Sequence, residues 1–190
     1  MLDDIAETRA YERERDAFRD HVIDLKRRRR VSVGPVVTFL FENRDTIRFQ
    51  IQEMARVERI TSDAGIQEEL DIYNPLIPEP GHLCATMFLE LTSDADVREW
   101  LPKLVGIERA AAVRLSDGAV VSGRVDPRHA SQLTREHVTS AVHYVSFTFA
   151  QEQVKAFTRG ANLRVEHPAY EFEVELHPDT VRELLSDLQP

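Results

Sequence analysis

Few side chains in this sequence are both chemically capable and placed where a pattern would use them. On a helical wheel at about 100° per residue, Ile47, Ile51, Met54 and Val57 of "FENRDTIRFQIQEM" share an arc, and Gln50 falls on it between Met54 and Val57. The next segment repeats the arrangement. Ile66, Leu70 and Tyr73 make its apolar stripe and Glu69 takes the equivalent place, so "IRFQIQEM" superimposes on "IQEELDIY" with Gln50 over Glu69. An amide or carboxylate buried without a partner costs roughly 1–3 kcal/mol. The two must therefore bond to each other, to Arg44, or to a strand face carrying His82 and Thr86. Either they form a satisfied internal network, or they open on a ligand pocket lined by Arg44, Gln50, Glu53, Glu69, Asn74, His82 and Cys84. An enzyme built from the same residues would use Glu53 or Glu69 as general base, with Arg44 holding an anionic substrate.

Other chemistry is weakly signalled. Cys84 is the sole cysteine, which excludes an intramolecular disulfide, a multi-thiolate zinc site and a CxxC redox pair within one chain. His82 is its i−2 neighbour on one strand face and lowers the thiol pKa only if the two touch. The seven histidines form no HxH or HxxxH pair. Glu79 and His82 match ExxH, but Pro80 and Gly81 put them in a turn instead of on the helix that would align two ligands. Spacing therefore predicts no metal site, the one alternative being oxygen-rich ligation of iron or manganese by carboxylates and His82 brought together in space. There is no GxSxG, and the seven glycines form no phosphate-cradling loop. His143 shares an apolar strand face with Val145, Phe147 and Phe149 and reads as a core histidine bonded to backbone. Glu171, Glu173 and Glu175 alternate along "YEFEVEL" and read as a solvated sheet face.

These side chains need elements to position them. Tyr11, Phe18, Val22 and Leu25 recur at helical spacing from Thr8 to Arg30. That helix ends in "KRRRR", cations matched to the partial negative charge of its C-terminal carbonyls; Arg27, Arg28, Arg29 and Arg30 are the candidate surface for an acidic partner. A strand is expected over 36–42, then a helix from Asn43 or Asp45 to about Val57 and a second over 63–73, stopped by "NPLIPEPG". "HLCATMFLEL" alternates strictly and reads as a strand, with Leu83, Ala85, Met87 and Leu89 on one face and His82, Cys84, Thr86 and Phe88 on the other. "TSDADVREWLPKL" reads as a capped helix with Val97, Trp100, Leu101 and Leu104 inward. A hairpin turning at Asp117-Gly118 follows, then a loop over 126–140, a strand over 141–149 and a helix over 151–158. A second hairpin turns at His167-Pro168, and a last helix spans 178–188.

"VTFLF" and "VSFTF" both lead into helices, and "LTSDADVREWL" and "LHPDTVRELL" both follow strands, which suggests an internal strand-helix-strand-helix duplication. The expected fold is one α+β domain over 1–190: a mostly antiparallel, curved sheet of about seven strands with helices on one side. Within it, 1–31 is an N-terminal helical extension, 34–104 the first half, 107–125 a hairpin and 140–188 the second half.

Composition narrows the partners. A chain of 190 residues with 42% hydrophobic content can bury a proper core. Its net charge of −9 disfavours nucleic acid and anionic membranes. The charged start and the short apolar run "VVTFLF", far below the roughly 18 residues of a membrane span, point to a cytoplasmic protein.

"LKRRRRVSVGPVVTFLFENRDTIRFQIQEM", "IQEELDIYNPLIPEPGHLCATMFLEL" and the later "LSDG" hairpin resemble an uncharacterised bacterial family, the domain-of-unknown-function family 3501, over nearly the whole chain after Tyr11. The resemblance implies no established activity. It implies company: the family's genes tend to lie near rubrerythrin-like and iron–sulfur oxidoreductase-like genes, which points to oxidative stress and to a redox or iron–sulfur partner. The family's usual residue at the Cys84 position is serine, which argues against a family-wide thiol nucleophile. The leading reading is an accessory or small-ligand-binding protein without catalysis. Its rivals are an enzyme with a carboxylate base in the 43–74 helical pair and a partner-binding module using the basic helix end.

Overall fold

The computed structural model describes residues 1–125 and 138–189, so most of the loop expected over 126–140 lies outside the described residues. Helix α1 (Thr8–Arg29) passes straight into strand β1 (Arg30–Val33), which turns back as β2 (Val37–Phe41). Helix α2 (Arg44–Glu58) starts on a reciprocal cap: Asn43 Oδ1 accepts from the Thr46 amide at 3.0 Å, and the Asn43 amide donates to Thr46 Oγ1 at 2.9 Å. After Arg59, held left-handed at φ 56°, α3 (Asp63–Tyr73) is capped by the Ser62 hydroxyl and runs into a 3-10 turn, Asn74–Leu76. Strand β3 (His82–Leu89), α4 (Asp94–Lys103) and a 3-10 turn, Ile107–Arg109, complete the first part. The remainder is β4 (Ala111–Leu115), β5 (Val120–Ser122), β6 (Val142–Thr148), α5 (Gln151–Phe157), β7 (Ala161–His167), β8 (Tyr170–Glu175) and α6 (Pro178–Leu188).

The strands form two antiparallel four-stranded sheets, ordered β1-β2-β3-β6 and β5-β4-β7-β8, where the sequence suggested one curved sheet of about seven strands. The additional strand is β1. The sheets share one core: Phe39, Met87 and Phe147 from the first meet Val113, Leu163 and Val165 from the second, all fully buried. A bridge between Arg124 and Ser146 links the β5 and β6 edges. At the opposite edges, the Tyr170 hydroxyl of β8 donates to the Val33 carbonyl at 2.6 Å and accepts from the Val36 and Val37 amides, pinning the β1–β2 turn. Gly34 in that turn has φ +74°, and a Cβ there would collide with the Phe172 ring and the Tyr170 hydroxyl at 2.5 Å.

The helices do not all lie on one side. Leu104 after α4, Ala156 and Phe157 of α5, and Val181, Leu184 and Leu188 of α6 join the core shared by the sheets. The α2–α3 pair instead forms a separate cluster, Ile47, Ile51, Leu70 and Leu76, with Tyr144 of β6 packed against it on the outer face of the first sheet. Val57, expected inward, is 66% exposed at the end of α2, and Val97 of α4 is also largely exposed. The suggested duplication is not repeated in the topology: β2 and β3 are neighbours in one sheet, whereas β6 and β8 belong to different sheets. His143 is wholly buried, its Nε2 lying 2.9 Å from both the Ser140 carbonyl oxygen and Thr139 Oγ1.

Candidate functional site

A small cavity of about 250 Å³ lies between the α2–α3 pair and the outer face of the first sheet. It exists because β2 and β3 turn alternate residues outward there: Leu40 and Glu42 from β2 and its end, Thr86 and Phe88 from β3. Above them α2 contributes Thr46, Ile47 and Gln50, one turn apart, and α3 ends on Tyr73. Lys26 from the last turn of α1 and Tyr144 of β6 complete the wall.

The floor is a buried carboxylate. Glu42 is 7% exposed, and its Oε2 accepts from the Thr46 hydroxyl at 2.5 Å while Oε1 accepts from the Thr86 hydroxyl at 2.6 Å. Below it, Arg29 is fully buried and grips Asp187 of α6 through two nitrogens, at 2.6 and 3.0 Å. It also reaches Glu183 at 3.0 Å and the Glu42 carbonyl at 3.4 Å.

The residues singled out in the sequence separate in space. Gln50 is half-buried, lines the cavity and has no hydrogen-bond partner among the described residues. Glu69 is also half-buried but does not line it; burial, then the nearby charges of Glu58 and Glu68, raise its pKa above the usual carboxylate range. Glu53 faces α1. It accepts from the Tyr11 hydroxyl at 2.8 Å, from Arg15 through both oxygens at 2.8 and 3.0 Å, and from Arg56. The Arg15 hydrogen bond is the main reason its pKa falls to about 2. Arg44 is exposed and bonds Asp4 at 2.7 Å, and Asn74 is exposed in the turn after α3. His82 turns its Nδ1 to the Pro80 carbonyl oxygen at 3.2 Å.

Cys84 lines a separate crevice of about 70 Å³ with Leu76, Tyr144 and Arg124. Burial, then the charges of Asp187 and Glu42, push its thiol up to about 11, so it stays protonated near neutrality. In the basic run, Arg28 pairs with Asp24 and Glu183, Arg29 with Glu183 and Asp187, and Arg30 with Glu90 while lying over the Phe88 ring. Arg27 is exposed and makes no ion pair among the described residues.

Sequence reasoning overlooked Glu42, Lys26 and Thr46 as site residues. The available signal was a carboxylate closing an otherwise apolar strand, "VVTFLFE", with a threonine one helical turn further on. It also overlooked Gln52, the most deeply buried amide of α2 at 2% exposure. Gln52 Oε1 accepts from the Ala6 amide at 2.7 Å and its Nε2 donates to the Ala6 carbonyl at 3.3 Å, clamping the N-terminal segment over a wider, more open groove of about 590 Å³. Among the described residues no group of three or more His, Cys, Asp or Glu side chains could hold a metal ion, and no helix is long and apolar enough to cross a membrane.

Fold and cavity together define a mixed α+β architecture: two antiparallel sheets around one core, with a helical pair laid over one outer face and a small chamber of mixed polar and apolar lining beneath it. The chain belongs to the family described as "Protein of unknown function (DUF3501)", whose model matches residues 1–188. It is similar to a protein of unknown function from Burkholderia pseudomallei K96243 whose crystal structure is solved. The two are 36% identical with a TM-score of 0.88, over 98% of this chain and 97% of that one. No curated protein matches the chain.

Proposed function

We propose that this is a non-catalytic accessory protein that binds a small ligand in the chamber between the α2–α3 pair and the outer face of the first sheet. The observation that carries the reading is Gln50: a half-buried amide lining the cavity with no hydrogen-bond partner among the described residues, on a helix whose deeply buried amide, Gln52, bonds the Ala6 backbone through both its oxygen and its nitrogen. Neither polar atom of the Gln50 amide is sealed from solvent, so it is open to bond whatever enters the cavity. What supports the absence of catalysis is the state of the carboxylates proposed as bases. Glu53 is held near pKa 2 by three donors and lines neither the chamber nor the groove, and Glu69 lies outside both. The redox or iron–sulfur association implied by the family resemblance fits an accessory role and belongs to this proposal.

The test is native mass spectrometry of the purified wild-type chain beside Gln50→Met. The expected result is a retained small-molecule mass in the wild type, absent in the variant, with thermal unfolding of the unliganded chain nearly unchanged. A wild type that retains nothing, and whose melting no small metabolite raises, overturns the reading.

A further inference from the structure

The chamber is lined by two side chains of opposite charge, Glu42 and Lys26, and neither makes an ion pair among the described residues. Glu42 is a buried carboxylate whose two hydrogen-bond donors, Thr46 and Thr86, are neutral hydroxyls, and it makes no ion pair among the described residues. Arg29 lies close by but touches only the Glu42 main-chain oxygen, its charge being taken up by Asp187 and Glu183. Each carboxylate oxygen has two acceptor positions and one is used on each, so each has a second position to offer. Lys26 lines the same chamber with its ammonium 5.6 Å from the Phe49 ring centre, and it too makes no ion pair among the described residues. An enclosed carboxylate without a cation is costly unless something supplies one.

Resting on the ligand-binding reading above, we propose that the chamber's occupant is a small zwitterion carrying a primary amine and a carboxylate, its ammonium donating to Glu42 and its carboxylate accepting from Lys26 and the Gln50 amide. The rest of the wall suits the carbon skeleton between those ends: Leu40, Leu76 and Phe88 are apolar, and Tyr73 offers an aromatic face. The space of about 250 Å³ limits the size. At roughly 20–30 Å³ per non-hydrogen atom, about ten such atoms fit, the size of a single amino acid and well short of a nucleotide.

Titration calorimetry and thermal shift on the full chain, with five probes, test this. L-leucine and γ-aminobutyrate carry both charges at two spacings; n-butylamine carries only the ammonium, butyrate only the carboxylate, and 1-butanol neither. At least one of the zwitterions is expected to bind tenfold or more tighter than each single-ended probe. Glu42→Gln should weaken that binding roughly ten- to hundredfold by removing a charge-assisted contact. Lys26→Gln, on a side chain with no ion pair to lose, should remove the preference for the zwitterion over n-butylamine, and it carries the test if Glu42→Gln does not fold. Butyrate or 1-butanol binding as tightly as the zwitterions, or Glu42→Gln and Lys26→Gln leaving affinity unchanged, overturns the charge assignment and leaves the cavity reading standing. If none of the five binds, this inference falls, while the cavity reading falls only if the native mass spectrum also shows nothing retained.

Discussion

Arg29 offers a direct test of how this fold is held together. It is the last residue of α1, fully buried, and its guanidinium spans to α6 through Asp187 at 2.6 and 3.0 Å and Glu183 at 3.0 Å. The side chains of Asp187 and Glu183 are themselves only 11% and 18% exposed. Among the described residues, Arg29→Met would leave Asp187 with no cation and Glu183 with Arg28 alone. Breaking a buried pair from one side costs about 3–5 kcal/mol, because the stranded carboxylate keeps its desolvation penalty and loses its compensation. For a chain of this size, at about 2–4 °C per kcal/mol, melting should fall by roughly 6–20 °C. Arg29→Lys keeps the charge but not the planar fork that spans both carboxylates, and should lie between the two. The double variant Arg29→Met/Asp187→Leu removes both members of the main pair and should recover most of the loss. Urea unfolding at low salt and at 1 M NaCl measures it, and the deficit should survive high salt because a buried pair is poorly screened. An Arg29→Met variant within about 1 kcal/mol of wild type would refute the reasoning and place this network with ordinary surface ion pairs.

Glu53 should make stability sensitive to acid. Its folded pKa of about 2 lies below the ordinary 4.5, so its contribution is complete above about pH 4.5 and is lost as pH falls towards 2. Glu53→Gln is expected to cost about 2 kcal/mol at pH 7, and its denaturation curve should converge on wild type near pH 2; a deficit independent of pH would contradict this. Gln52→Leu strands both polar groups of Ala6, which should cost about 1–3 kcal/mol and make the N-terminal segment an early site of limited proteolysis, whereas equal cleavage of both proteins would show the clamp to be idle. Cys84, protonated because its pKa is near 11, should react with Ellman's reagent at pH 8 at least about a hundredfold more slowly in the folded than in the unfolded chain; comparable rates would show the thiol to be open. Gln50→Met with Glu69→Leu should leave stability within about 1 kcal/mol, since neither side chain bonds the other; a larger loss would mean that they serve the fold.

Local signals mark the elements of this fold well and their assembly poorly. The 63–73 helix is legible from its stripe and the prolines beyond, and both hairpins from Asp117-Gly118 and His167-Pro168. Strand β1 is not legible, because "RVSV" continues the arginine run without a breaker and its two valines look like the tail of α1. The division into two sheets is equally hidden. Period two tells which residues of β6 point inward, as His143, Val145 and Phe147 do, but not that β6 pairs with β3, some sixty residues earlier, instead of with β7 beside it in sequence.

The site divides along the same line, and α2 shows why. A wheel assumes one buried face and one wet face, which turns Gln50 inward, leaves Gln52 unremarked and allows Glu53 to be assigned to the same pocket as Gln50. In the structure α2 is a middle layer: below it Thr46, Ile47 and Gln50 meet the chamber over the first sheet, and on its other side Phe49 packs edge-on against Phe18 of α1, while Gln52 and Glu53 hold the N-terminal segment and α1. A helix between two layers has two polar sets with different work. Gln52 and Glu53, on the side of α1 and the N-terminal segment, are bonded within the protein and act as fasteners. Of those facing the sheet, Gln50 has no hydrogen-bond partner among the described residues, and it lines the same chamber as Glu42, a carboxylate held there by two hydroxyls. That contrast within one helix separates structure from function here: substitutions on the α1 side should change stability, those on the sheet side should change what the chamber holds, and a stability map that ignores this division would remove the ground for a site.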